Sequence, residues 1–115
     1  MARFIDELES PAAGVYFDVG NVVRFGWPDQ WIRILGPRIV KLDIKEYSRK
    51  KQKEEGLWKG FQVEINEGDC DWPAVRNALQ EIGYTQGWAT AEVKGGDRQR
   101  LQDISERMDR ALALA

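Results

Sequence analysis

Three short apolar runs, each with a carboxylate near its C-terminal end, limit what this chain can fold into. Residues 14–21 (GVYFDVGN) carry Asp18, residues 38–46 (RIVKLDIKE) carry Asp43, and residues 88–92 (WATAE) end on Glu92. Each run reads as a strand, and each is followed, at once or after a loop, by a helical pattern. Strands alternating with helices predict a parallel sheet with right-handed crossovers. Acids at the same end of parallel strands predict one shared site for a divalent metal or a polar substrate.

The intervening segments fill in the order α, β, α, β, (β), α, β, α. Residues 2–9 read as two helical turns with Phe4, Ile5 and Leu8 on one face, stopped by Ser10-Pro11. Residues 22–27 read as a loop with exposed Val22, Val23, Phe25 and Trp27. Pro28 opens a helix, and Gly36-Pro37 ends it. The charged run 48–55 reads as a solvated loop closed by Gly56; a phosphate contact by Arg49 or Lys50 is the minority alternative. Phe61, Val63 and Ile65 alternate with polar residues, which predicts a short extra strand over 61–65. Asp71 caps a helix with Pro73 just inside it, and Gly83 stops it. Gly95-Gly96 reads as a plain turn, and Asp97 caps a last helix with the stripe Leu101, Ile104, Met108, Leu112.

The chain has 115 residues, enough for one domain with a core but short of the roughly 200 that a closed (β/α)8 barrel needs. Net charge is −2, so there is no basic footprint for nucleic acid. No apolar run approaches the roughly 20 residues of a membrane span, and the acidic N-terminus does not read as a signal peptide. The single cysteine, Cys70, excludes an internal disulfide and fits a reducing, cytoplasmic setting. The chain has no histidine, which removes the commonest general base and zinc ligand. Three parallel strands leave open sheet edges, so self-association, most simply as a homodimer, is expected.

Four segments in this order and spacing resemble the C-terminal half of the xylose-isomerase-like TIM-barrel superfamily, the sugar phosphate isomerases and epimerases. They are Phe17-Asp18-Val19-Gly20-Asn21, residues 41–47 (KLDIKEY), residues 68–75 (GDCDWPAV), and residues 78–84 (ALQEIGY) with Trp88 to Glu92. The resemblance implies a partial barrel of about three parallel β/α units over residues 1–115, matching the sixth to eighth strands. It implies one divalent ion (Mn, Mg, Co or Zn) at the mouth, no organic cofactor, and a small sugar or sugar phosphate as partner. Asp18 and Glu92 match metal-ligand positions, Asp43 stands where a histidine is expected, and Asn21 matches a substrate-contacting position. Glu92 is one of the family's acid/base pair of glutamates; the other has no counterpart.

The residues leave several roles open. Asp18 suits a turn cap as well as a ligand. Asp43 suits the mouth, or a salt bridge with Lys45 or Arg38. An oxygen-only set of Asp18, Asp43 and Glu92 suits Mg or Mn better than Zn. Without an ion, three such carboxylates need a cation such as Lys45 in its place. Trp27 and Trp58 suit an apolar wall beside a sugar, with Lys45 as a further ligand contact, or a patch that seals an interface. Cys70 lacks a histidine partner for nucleophilic work. Two functional readings follow: a truncated sugar (phosphate) isomerase or epimerase with half of its metal and acid/base site, inactive alone; or a non-enzymatic half-barrel that binds or self-assembles. A flavodoxin-like domain is a weaker third, because it needs more strands.

Overall fold

β1 (Val15–Asp18), β2 (Ile39–Ile44) and β3 (Trp88–Ala91) form one parallel sheet, in that order, in the computed structural model, which describes residues 1–113. α1 (Ala2–Glu7) precedes β1. α2 (Val19–Val23) and α3 (Pro28–Leu35) lie between β1 and β2, and α4 (Arg49–Glu55) and α5 (Trp72–Glu81) between β2 and β3. α6 (Arg98–Leu112) follows β3. This is the α/β arrangement that the sequence predicts, three parallel strands of a barrel wall.

The register decides which residues share a face. Phe17 lies opposite Leu42, and Leu42 opposite Ala89; Asp18 lies opposite Asp43, and Asp43 opposite Thr90. Side chains alternate along a strand, so each such row points to one side. Val15, Phe17, Ile39, Leu42 and Ile44 are buried and meet Ile32 and Leu35 of α3 and Val75, Ala78 and Leu79 of α5. The opposite face is open: Tyr16, Val40 and Trp88 are exposed, Trp88 at 75%. The register shifts between Val15 and Tyr16, which makes Val40 the extra residue of a bulge.

The helix ends follow their local chemistry. Asp71 accepts the Ala74 N–H at 3.0 Å, and Asp97 accepts the Arg100 N–H at 2.9 Å. Gly36 takes φ 53° at the end of α3, a conformation that favours glycine. In the stripe of α6, Ile104 is buried and Met108 and Leu112 pack partly on the core, whereas Leu101 is exposed.

Three expectations are corrected. The charged run 48–55 is a helix, α4, because Ser48 caps it by accepting the Lys51 N–H and every residue in it is a good helix former. Residues 61–65 do not form the extra strand. Both neighbours of β2 are already present, and the segment's carbonyls go elsewhere: Gln62 O accepts Lys51 Nζ and Ile65 O accepts Arg107. Finally, Val22 and Val23 are buried in α2 rather than displayed in a loop; only Phe25 and Trp27 of that group are exposed.

The segment that follows β2 is organised by Glu46, a carboxylate only 1% exposed. Its Oε1 accepts the N–H groups of Tyr47 (3.2 Å) and Cys70 (2.9 Å). Its Oε2 accepts Asn66 N–H (3.1 Å) and Trp72 Nε1–H (2.9 Å). Burial pushes the Glu46 carboxyl up, and the four N–H groups pull against it without fully offsetting it. Glu46→Ala strands those donors in a dry site and is expected to cost about 3 kcal/mol or more. Glu46→Gln keeps a single acceptor oxygen and should fall between it and the parent. Urea unfolding midpoints measure both; a cost below about 1 kcal/mol for the alanine variant would show that the segment does not depend on this residue.

Candidate functional site

Asp18, Asp43 and Glu92 lie together at the C-terminal rim of the sheet. Each offers a carboxylate oxygen, and these oxygens lie within 4.8 Å of one another. Asp18 is the last residue of β1 and the cap of α2. Its two oxygens divide the work: Oδ1 accepts the Asn21 N–H at 2.9 Å, and Oδ2 faces Lys45 Nζ at 3.0 Å. Asp18 therefore caps α2 with one oxygen and turns the other toward Lys45.

Lys45 joins the cluster. Its Nζ also donates to Glu92 Oε2 at 2.8 Å, and its side chain is 17% exposed. The alternation of β2 puts Lys45 on the same face as Asp43 two residues earlier. Gly20 gives the lysine stem room: a Cβ there would sit 2.5 Å from Lys45 Cγ and 2.8 Å from its carbonyl oxygen. Glu92 is fixed by its own N–H, which donates to Ile44 O at 2.9 Å and carries the β2–β3 ladder to the rim.

Neither salt bridge envisaged for Asp43 forms. Lys45 goes to Asp18 and Glu92, and Arg38 goes to Asp6. Asp43 Oδ1 instead accepts the Tyr16 hydroxyl at 2.5 Å, a partner that sequence reasoning missed. The signal was available: Tyr16 is two residues before Asp18, hence on the same strand face.

The remaining candidates are held by contacts of their own. Asn21 sits in the first turn of α2, and its backbone carbonyl accepts Arg24 Nε. The Trp27 ring is covered by the Arg49 guanidinium at 3.9 Å. That guanidinium also donates to Val23 O and Gly26 O, so Arg49 clamps the α2–α3 turn. Trp58 is 71% exposed and stacks on Phe61, whose ring lies 4.9 Å from Lys45 Nζ. Beside Lys45 and Glu92 opens a cleft of about 820 Å³, walled by Phe61, Glu64, Lys94 and Arg100.

The electrostatics separate the two acids that share Lys45. Burial raises the Asp18 carboxyl above its ordinary value and outweighs the bonds from Asn21 and Lys45. The hydrogen bond from Lys45 holds Glu92 below its ordinary value, against burial. Burial pulls Lys45 down, but its bonds to Glu92 and Asp18 prevail and hold it above the usual lysine range. Cys70 is pushed up by burial and by neighbouring carboxylates, which removes it as a nucleophile.

Chemically, the cluster is an anionic pocket with an internal ammonium. Its donors are all oxygens and close enough to converge on one divalent ion, so the residues fit a magnesium- or manganese-type ion. Such an ion would compete with Lys45 for Asp18 and Glu92.

The Xylose isomerase-like TIM barrel family matches residues 1–113. A 3-oxo-isoapionate decarboxylase of Pectobacterium atrosepticum is 31% identical over 80 residues, covering 66% of this chain and 28% of that relative. The chain belongs to the xylose isomerase-like TIM-barrel family.

Lys45→Met removes the hydrogen bond that holds Glu92 low and leaves it beside other carboxylates. The Glu92 titration midpoint, read by carboxyl ¹³C shifts, is expected to move up. The pH dependence of stability should change accordingly. A carboxylate held low contributes stability above the ordinary glutamate range and loses it as pH falls through its folded value. Asp18, held high, acts in the opposite sense: its contribution is present at low pH and is lost as pH rises through its folded value. An unmoved Glu92 midpoint would refute the Lys45 pairing.

Proposed function

We propose that this chain carries part of a metal-dependent sugar or sugar phosphate isomerase/epimerase site, with Asp18, Asp43 and Glu92 as oxygen ligands. The observation that carries the reading is the convergence of these three carboxylates on one rim of the sheet. Bound there, a magnesium or manganese ion would supply a Lewis acid for a substrate oxygen. Glu92 is the group placed to move a proton, because it is the most exposed of the three and borders the cleft. Asn21, Trp27 and Lys45 are the substrate contacts of this reading, Lys45 once an ion has taken its place between Asp18 and Glu92.

The named activity of the relative is a decarboxylation of a 3-oxo acid. Sugar epimerisation and 3-oxo acid decarboxylation both build negative charge on an oxygen beside the reacting carbon. A cation at the same place serves either. The isomerase reading is preferred because a carboxylate at the cleft provides a base to remove a proton from carbon, which epimerisation requires; decarboxylation of a 3-oxo acid needs a proton only to be returned to carbon after carbon dioxide leaves.

Residues 1–113 form three strands and leave the inner face of the sheet open to water, which weakens electrostatic stabilisation. A second carboxylate free to act as acid or base at this rim comes from none of the three strands: Asp18 and Asp43 are the other two acids, and both are assigned as ligands. The chain alone is therefore expected to bind Mn²⁺ without efficient turnover. In calorimetric titration, Asp43→Asn should weaken Mn²⁺ binding about tenfold or more, at least what losing an outer-sphere partner costs at a metal site. Metal-dependent turnover of ketoses or ketose phosphates, abolished by Glu92→Gln, would contradict the inactivity.

The same reading includes association of two copies through the open sheet face and edges, where Tyr16, Val40 and Trp88 are exposed. A stable contact would bury roughly 1,200–2,000 Å². Trp88→Lys is expected to shift the chain to monomer in light scattering. A parent protein that stays monomeric at high micromolar concentration would exclude the dimer.

A further inference from the structure

We infer that the depression between α2 and α4 is the subsite for a phosphate group on the ligand. Arg24, Arg49 and Lys53 line it together with Gln52 and Phe25, around a volume of about 440 Å³. Three cations and no carboxylate line it, in a chain whose acids outnumber its bases by 19 to 17. The grouping comes from separate elements. Arg24 is the residue that ends α2, whereas Arg49, Gln52 and Lys53 fall on one face of α4 by their i, i+3, i+4 spacing.

The three cations differ in how they are held. Arg49 is pinned by its bonds to Val23 O and Gly26 O and by the Trp27 ring beneath it. Arg24 spends only Nε, on Asn21 O, so both of its terminal nitrogens lack an acceptor among the described residues. Lys53 has no carboxylate partner among them either. A fixed guanidinium, a second with a free fork and an ammonium match the needs of a dianion with three acceptor oxygens.

Arg24 also ties the depression to the carboxylate rim. Its guanidinium lies 5.8 Å from the Phe61 ring and 5.9 Å from the Trp58 ring. The same Phe61 ring carries Lys45 on it. A sugar phosphate held by its phosphate at Arg24 would lay its carbon chain along Phe61 and Trp58 toward Lys45 and Glu92. This inference rests on the reading given under Proposed function and narrows its substrate class to phosphorylated sugars. It also revises the role foreseen for Arg49, which becomes one wall of the site, and gives Lys50 none.

Isothermal titration with inorganic phosphate, fructose 6-phosphate and fructose tests it, with Arg24→Gln, Lys53→Gln and the double variant. The parent is expected to bind fructose 6-phosphate better than fructose. The double variant should lose at least about tenfold for both phosphorylated probes while keeping the parent's circular dichroism. Phosphate affinity unchanged in the double variant would overturn the inference, as would equal binding of fructose and fructose 6-phosphate. Amide shifts on phosphate titration guard against a folding artefact: they should centre on Arg24, Gln52 and Lys53, and a map centred elsewhere would also overturn it. Mn²⁺ binding by the carboxylates draws on none of these residues, so the failure of one claim is separable from the failure of the other.

Discussion

Glu46 is a buried carboxylate whose four partners are all N–H groups, and the shape of the rim depends on it. It gathers backbone from three places, Tyr47, Asn66 and Cys70, and locks the indole of Trp72 at the start of α5. A buried anion without a cation is costly, and only complete satisfaction of its oxygens makes it tolerable. The neighbouring geometry is equally tight: Gly68 lies against the Glu46 stem and the Tyr47 carbonyl, where any Cβ would collide. Because consecutive side chains alternate, anchoring Glu46 inward turns Lys45 outward, into the acids.

Lys45 then settles the charge problem at the rim. Three carboxylates within 4.8 Å repel one another, and one ammonium bonded to two of them relieves part of that. The third, Asp43, is steadied by the Tyr16 hydroxyl instead of a charge. The result is an anionic cluster balanced in part by one ammonium. On the proposed reading, a divalent ion bound there would replace one charge with two, and the displaced lysine would be free to meet an anionic or hydroxyl-rich ligand. The aromatic wall of Phe61 and Trp58 stands beside it, and Arg24 lies against the same rings.

The strands and their acids were legible in the sequence because each strand is short, apolar and punctuated: Gly20-Asn21 after Asp18, Gly36-Pro37 before Ile39, Gly83 before Trp88. Helix caps at Asp71 and Asp97 were legible for the same local reason. What was not legible depends on contacts made at a distance. The segment 61–65 has strand alternation, yet Arg107 and Lys51 take its carbonyls and it joins no strand. The charged run 48–55 lacks an apolar face and reads as loop, while its propensity and the Ser48 cap make it helical. Glu46 reads as one more strand-end acid, and only the fold shows that its side chain turns inward. The cationic depression was half visible, since Arg49 was noted, but its partner Arg24 lies 25 residues earlier in an element read as loop.

The account stands on the acids at the rim being a cation site in which Lys45 acts as a placeholder. Anomalous diffraction from crystals soaked in manganese chloride addresses this directly. The account predicts one manganese peak among Asp18, Asp43 and Glu92, with Lys45 Nζ withdrawn from Asp18 and Glu92. Manganese bound only elsewhere, with Lys45 still bonded to both carboxylates, would contradict it.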